Sequence, residues 1–193
     1  MLLLGVLAAQ AEAAAPPAGA GAYDLLETEI LTGTQASVTF SSLNSTYGST
    51  YQHLQIRMTG RGTANDTDSY LYITLNGDTG ANYKAHQLWA HGTGGVDANA
   101  FIYGGLGLII AGITANNATA DAFGANVIDF LDAFETTKNK TVRSFGGEHG
   151  GYNKVGLESF AWFNTAALTS IKVAPSAGSF VTGSRLSLYG LKG

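Results

Sequence analysis

The chain has 193 residues, a formal net charge of −4, 12% charged residues and no cysteine. Its length fits a single domain that can bury a core without cross-links. The lack of cysteine excludes a disulfide scaffold, a thiolate metal site and a cysteine nucleophile. Lys and Arg number 10 against 14 Asp and Glu, so no excess positive charge is present to bind nucleic acid. No run of about 20 apolar residues exists that could span a membrane as a helix.

Residues 1–22 differ in composition from the rest, with one charge at Glu12 and an apolar run from Leu2 to Ala9. Two interpretations remain open. The segment is either an anchor inserted into a partner, with Pro16–Ala22 as linker, or a secretory signal with a small-x-small cleavage site. The absence of Lys and Arg before Arg57 opposes a signal. The anchor would bind through its large apolar side chains: Leu2, Leu3, Leu4, Val6 and Leu7.

Residues 23–193 form the second unit, in which apolar and polar residues alternate as expected for half-buried strands. In chain order the predicted strands are Asp24–Leu31, Ala36–Phe40, Tyr51–Thr59, Ser69–Leu75, Asn82–Ala90, Ala100–Ile110, Ala122–Phe134, Lys140–Phe145, Leu157–Phe163, Leu168–Val173 and Arg185–Leu191. The alternation directs Leu54, Ile56 and Met58 inward in one strand, and Leu71, Ile73 and Leu75 in the next.

Turn residues separate these strands. Asn76-Gly77-Asp78 is typical of a tight turn, and the pairs Asn116-Asn117 and Gly146-Gly147 indicate further turns. Ala118–Phe134 could also be argued as a helix, but its β-branched and aromatic residues favour a strand. Many short strands joined by glycine-rich turns predict an all-β protein, an antiparallel jelly-roll-like β-sandwich.

Chemically active residue types are present without a catalytic or metal-binding motif. His86 and His91, five residues apart, face opposite sides of a strand, and His53 and His149 are isolated. Asp66 and Asp68 favour a solvated turn over a weak calcium site, because no bidentate glutamate follows. Nothing pairs two of the carboxyl groups that glycoside hydrolysis would need, at Asp129, Asp132, Glu135, Glu148 and Glu158.

Two further groups of residues could form binding surfaces. Trp89, Trp162 and nine tyrosines could line a sugar-stacking face, although such residues usually lie in the core of a sandwich. The basic cluster Lys138–Arg143 predicts a solvated strand edge and no nucleic acid surface. The sequence therefore predicts no cofactor and no metal site.

Four segments together follow a distinctive pattern: Tyr51–Arg57, Leu75–Tyr83, Glu135–Ser144 and Leu188–Gly193. Over residues 23–193 the chain resembles structural proteins of tailed-bacteriophage virions, from phages of marine and freshwater bacteria. The resemblance implies a jelly-roll-like sandwich, a homotrimer, and display on the virion by a variable N-terminal segment. It carries no catalytic residues.

We therefore expect a non-enzymatic virion surface protein, anchored by residues 1–22 to other virion proteins of the capsid or tail. A compact domain without a long shaft favours capsid decoration, cement or a head fibre. The alternatives are a tail fibre or adsorption protein that binds a host surface glycan, and, from another class, a secreted carbohydrate-binding module. A polysaccharide-cleaving spike is the least favoured.

Overall fold

A computed structural model describes residues 22–92, 94–103 and 106–193 of the chain. Those residues form β-strands and one short helix. The elements are β1 (Asp24–Ile30), β2 (Val38–Phe40), α1 (Leu43–Tyr47), β3 (His53–Gly60), β4 (Asp68–Leu75), β5 (Tyr83–His91), β6 (Gly95–Tyr103), β7 (Gly107–Thr114), β8 (Gly124–Leu131), β9 (Lys140–Glu148), β10 (Lys154–Trp162), β11 (Ile171–Pro175) and β12 (Arg185–Leu191).

The strands form two antiparallel sheets that pack as a β-sandwich. The large sheet has eight strands in the order β1-β12-β3-β8-β9-β10-β5-β6, and the small sheet has four in the order β2-β11-β4-β7. The predicted all-β, jelly-roll-like antiparallel sandwich is confirmed. Strands β1 and β6 are the edges of the large sheet.

Alternating apolar residues fill the space between the sheets. Leu54 and Ile56 of β3, and Leu71 and Ile73 of β4, are fully buried, as the alternation predicts. The largest buried side chains include Trp162 and Tyr83, whose rings stack 6.4 Å apart between centroids. Burial raises the pKa of Tyr83 to about 12. The Tyr83 hydroxyl accepts a hydrogen bond from the Leu75 amide at 3.0 Å, and this contact ties the aromatic cluster to β4.

The connection between β4 and β5, which crosses from the small sheet to the large sheet, turns at the predicted residues. Asn76 and Gly77 have φ angles of 51° and 70°, in the left-handed region that this type of turn requires. The Asn76 side-chain oxygen accepts the amide hydrogens of Thr169 at 2.7 Å and Ser170 at 3.1 Å. The turn is thereby joined to the segment that leads into β11.

Two predictions about single elements are wrong, and one element was missed. Ala100–Ile110 was expected as one strand, but it spans the end of β6 and the start of β7, which lie in different sheets. Gly146-Gly147 lies inside β9 and is not a turn. Glycine is present there because the neighbouring strands leave no room for larger residues. Helix α1 was not predicted, since its five residues carry no amphipathic repeat.

The basic cluster also differs from its prediction. Strand β9 lies between β8 and β10, so it is interior and not an edge. The Lys140 side chain is buried, where its ammonium group donates hydrogen bonds to the carbonyls of Lys138 and Thr165, both at 3.2 Å. Desolvation lowers the pKa of Lys140.

The proposed N-terminal anchor, at Leu2, Leu3, Leu4, Val6 and Leu7, lies outside the described residues. The described chain begins at Ala22, and β1 follows at Asp24. Within the described residues, no helix has the length and apolar character needed to cross a membrane.

Candidate interface on the outer face of the large sheet

The outer face of the large sheet carries a row of apolar side chains that crosses neighbouring strands. Strand register places Val127 of β8 beside Phe145 of β9, then Leu157 of β10 and Leu88 of β5. The exposed fractions of these residues are 36%, 56%, 53% and 49%, respectively. A contiguous apolar group on a soluble domain is typical of an interaction surface.

A second row runs parallel to the first and contains smaller residues. Ala125 and Gly147 pair across β8 and β9, Gly147 pairs with Val155, and the row continues through Ala90 to Val96. Val96 is 69% exposed. Side chains of one face stand two residues apart along each strand. Because Ala125 and Gly147 are small, they leave a depression between the larger side chains of this face. We call the two rows together the apolar face.

Two grooves lie on the apolar face, on either side of Phe145. The larger has a volume of about 600 Å³ and is lined by Val127, Phe145 and Val155 on one side and by Arg57 and Arg185 on the other. The smaller, of about 220 Å³, is lined mainly by Leu88, Val96 and Leu157 together with Phe145 and Val155. These apolar lining residues of the two grooves lie on neighbouring, paired strands from β8 to β6, so an extended apolar segment could lie along both grooves.

A polar row borders the apolar face. The Gln55 amide donates a hydrogen bond to Asp129 at 2.7 Å, and the Arg57 guanidinium donates one to Gln55 at 2.7 Å. Arg143 lies 3.7 Å from Asp129. These contacts hold the side chains of one row in place and separate the apolar face from the far end of the sheet.

Tyr23, which precedes β1, packs on the outer face of the large sheet. The guanidinium of Arg57 lies 4.8 Å from the ring centroids of both Tyr23 and Tyr189. Arg57 is therefore held between two aromatic rings, a geometry in which cation–π attraction is favourable. Because Arg57 and Tyr189 also line the larger groove, Tyr23 lies beside that groove.

A second, polar cleft of about 480 Å³ lies at the end of the sandwich, near the turn after β8. Asp132 there accepts hydrogen bonds from Gln52 at 2.7 Å and from the Lys138 ammonium at 2.6 Å. The hydrogen bond from Lys138, followed by that from Gln52, lowers the pKa of Asp132. Asp132 is thus held in place by two donors of the protein, and Glu135 lines the same cleft.

Of the carboxyl groups considered for glycoside hydrolysis, Asp132 and Glu135 both line the polar cleft, and the other three lie outside it. Asp129 is on the outer face of the large sheet, whereas Glu158 is buried on its inner face, where Ser144 donates a hydrogen bond to it. Glu148 accepts the amide hydrogens of Gly151 and Lys154. Asp132 is held by Lys138, and Glu135 accepts the amide hydrogens of Thr136 and Thr137.

The residues considered for metal binding are likewise dispersed. Asp66 accepts the amide hydrogen of Thr67 at 2.7 Å, and Asp68 pairs with the ammonium of Lys154. Over the described part of the chain, no group of three or more His, Asp or Glu side chains could hold a metal ion. Of the histidines, His86 is exposed on the outer face while His91 stacks against Trp89 and Tyr152 on the other.

The comparisons with known proteins establish no family for this chain. No protein-family model and no curated protein matches this chain. Among solved structures, the chain is similar to an exo-inulinase from Aspergillus awamori, with 10% sequence identity and a TM-score of 0.39. The match covers 88% of this chain and 28% of that one, so this chain spans less than a third of the length of its structural neighbour.

Proposed function

We propose that this chain is a non-enzymatic surface protein of a tailed-phage virion, favoured as a capsid decoration, cement or head-fibre protein. The observation that carries the proposal is the apolar face, which lies on a rigid eight-stranded sheet beside the point where the N-terminal segment enters. The resemblance of residues 23–193 to virion structural proteins gives the class of assembly.

The shape of the apolar face favours a protein partner over a small ligand. Its exposed side chains form two rows across several strands, and its grooves are open along their length. Sites for small molecules are usually concave and enclose most of the ligand surface. A broad apolar area with a polar border is the pattern expected of a protein interface.

Symmetric self-association is part of the proposal. Strands β1 and β6 leave two open edges on the large sheet, and unpaired edges are commonly covered by assembly. A closed homotrimer would cover such edges and would present three N-terminal anchors to one surface. Several weak anchors on one body bind more tightly than one, because each raises the effective concentration of the others.

The test is the presence and position of the chain on purified phage particles. We expect mass spectrometry to detect it in stoichiometric amounts and a cryo-electron microscopy difference map to place it on the capsid surface. In particles carrying Phe145→Glu, the density should weaken. Phe163→Glu is the matched control, because Phe163 is similarly exposed at 48% but lies beyond the end of β10, outside the two rows of the apolar face. Absence of the chain from the particles would overturn the proposal, and density on the tail would favour the tail-fibre role.

A second candidate function, glycan binding, is favoured by one aromatic group. Trp89, His91 and Tyr152 form a cluster of three rings, with the His91 centroid 4.6 Å from that of Trp89 and 5.0 Å from that of Tyr152. Tyr152 is 43% exposed, and an exposed ring of this kind can pack against a sugar. Either an adsorption protein or a secreted carbohydrate-binding module would use such a site. Binding on a glycan array that Tyr152→Ala abolishes and Phe163→Ala preserves would support this function.

A further inference from the structure

We propose that the apolar N-terminal segment Leu2–Ala9 of the free chain docks into the grooves of its own apolar face. The inference concerns the isolated protein and does not rest on the virion role. It starts from two complementary facts: the apolar face exposes large side chains to solvent, and Leu2–Ala9 is an apolar run within the same chain. Bringing the two together removes both from water.

The position of Tyr23 directs the segment onto this face. Its ring packs on the Arg57 guanidinium, so the Tyr23 side chain lies over the outer surface of the large sheet. Arg57 also lines the larger groove. Residues that precede Tyr23 therefore begin at the end of the groove that they would enter.

The lengths of chain and groove agree. From β3 to β6 the sheet has five strand-to-strand steps, which span about 24 Å at about 4.8 Å each. Eight extended residues, 2–9, cover about 26 Å. The 13 residues from 10 to 22 can reach up to about 45 Å, more than the distance to the groove requires.

Charge complementarity supports the same arrangement. Glu12 is the only charged side chain in residues 1–22, and it lies three residues after the apolar run. With Leu2–Ala9 in the grooves, Glu12 falls near the groove end that Arg57 and Arg185 line. Within the described ranges, no hydrogen bond or ion pair engages the Arg185 side chain, so its guanidinium is available to an acidic group of the segment.

Docking within one chain is favoured over docking between chains by concentration. A short flexible linker holds its two ends at an effective concentration in the millimolar range. At micromolar concentration a chain therefore meets its own segment far more often than that of a separate molecule in solution. Under the proposed virion role, the anchor would be covered until assembly exchanges it for the partner.

Methyl NMR on the full chain tests the contact. We expect Leu3→Asp/Leu4→Asp to shift the methyl signals of Val127, Val155 and Leu157 and to leave those of Leu25 and Ile30 unchanged. The control Ala13→Asp/Ala14→Asp adds the same charge to the same segment and should shift none of the groove methyls. Groove signals that ignore the first variant, or that respond equally to both, would overturn the proposal.

Disulfide trapping tests which chain supplies the segment. The protein has no cysteine of its own, so Leu4→Cys combined with Leu157→Cys introduces a single pair. At about 1 µM protein, we expect the variant with Leu4→Cys and Leu157→Cys to form an intrachain disulfide. Its rate should be at least about tenfold higher than that of the variant with Leu4→Cys and Ile30→Cys. Interchain disulfides alone, or equal rates, would overturn docking within one chain. So would a natural protein whose isolated chain begins after residue 13.

Discussion

The ammonium group of Lys154 pairs with the carboxylate of Asp68, which joins the large sheet to the small sheet through β10 and β4. The two side chains are only 2% and 14% exposed. The ring of Tyr70 lies 4.4 Å from the Lys154 nitrogen and that of Tyr152 lies 5.6 Å from it. The pair is thus a buried charge contact between the layers of the sandwich.

Asp68→Asn is expected to lower the free energy of unfolding by about 3 kcal/mol, because it leaves the buried Lys154 charge without its main partner. Urea unfolding measures the change. Asp66→Asn is the matched control, since Asp66 is close by in the chain, and Asn keeps the oxygen that accepts the Thr67 amide hydrogen. The control should change stability by less than about 0.5 kcal/mol. Equal midpoints for the two variants would contradict the expectation.

Asp78 satisfies a buried indole group. Its carboxylate accepts hydrogen bonds from the Trp162 indole nitrogen at 2.7 Å and from the Asn82 amide at 2.8 Å. Asp78→Ala leaves the buried indole without a partner, so we expect a loss of about 1–3 kcal/mol in the free energy of unfolding. Tryptophan fluorescence during urea unfolding reports it. A variant as stable as the wild type would show that the indole finds another acceptor.

The contribution of Asp78 should also depend on pH. The hydrogen bond from Trp162 is the largest cause that lowers the pKa of Asp78 below its ordinary value of 3.8. A lowered folded-state pKa stabilises the protein fully above the unfolded value, and this stability is lost as the pH falls through the folded value. The stability difference between wild type and Asp78→Ala should therefore be constant above about pH 5 and narrow below about pH 4. A difference that widens in acid would contradict the assignment.

Gly146→Ala should destabilise the large sheet. An added Cβ would lie 2.7 Å from the Ala125 carbonyl oxygen and would collide with the Asn126 side chain. Asn126 cannot easily move, since it is buried and donates a hydrogen bond to the Gly112 carbonyl at 2.6 Å. We expect a loss of about 1–3 kcal/mol, measured by thermal unfolding. Gly33→Ala is the control, because no atom lies within 4 Å of its added Cβ. Similar losses for both would contradict steric exclusion.

The proposed trimer has a direct measurement. The chain mass is 20.0 kDa, so light scattering should give about 60 kDa for the purified protein at micromolar concentration. A mass near that of one chain would exclude the trimer. It would also weaken the decoration role, because a single short anchor should dissociate readily.

The inner face of each sheet could be predicted from the sequence because its residues alternate simply. Leu54, Ile56 and Met58 follow one parity through β3, and all three are buried. The tight turn at Asn76-Gly77 was also predictable, since few residues adopt positive φ angles at low cost. The order of strands was not, because each sheet joins strands that lie far apart in the chain.

The apolar face was missed although β10 carries a signal of it. In that strand, Val155 and Leu157 have odd parity, whereas Phe160 and Trp162 have even parity. Odd positions of β10 face outward and even positions face inward, so the first pair is exposed and the second is buried. The glycine at position 156 lies on the inner side. Reading only one set of alternating residues as the buried face hides the other. The cation–π contacts of Arg57 with Tyr23 and Tyr189 could not be predicted, because they join three separate parts of the chain.

The pairing of β12 between β1 and β3 has a consequence for folding. The N-terminal strand has no hydrogen-bonded neighbour until residues 185–191 have been synthesised, and β3 lacks one of its two neighbours until then. That part of the large sheet can close only after nearly the whole described chain has left the ribosome. Such distant pairings carry a large loop-closure cost and are typical of slow folding, on the scale of milliseconds to seconds. The nascent chain will therefore expose β1 and β3 for most of its synthesis, and chaperone demand should fall on those strands.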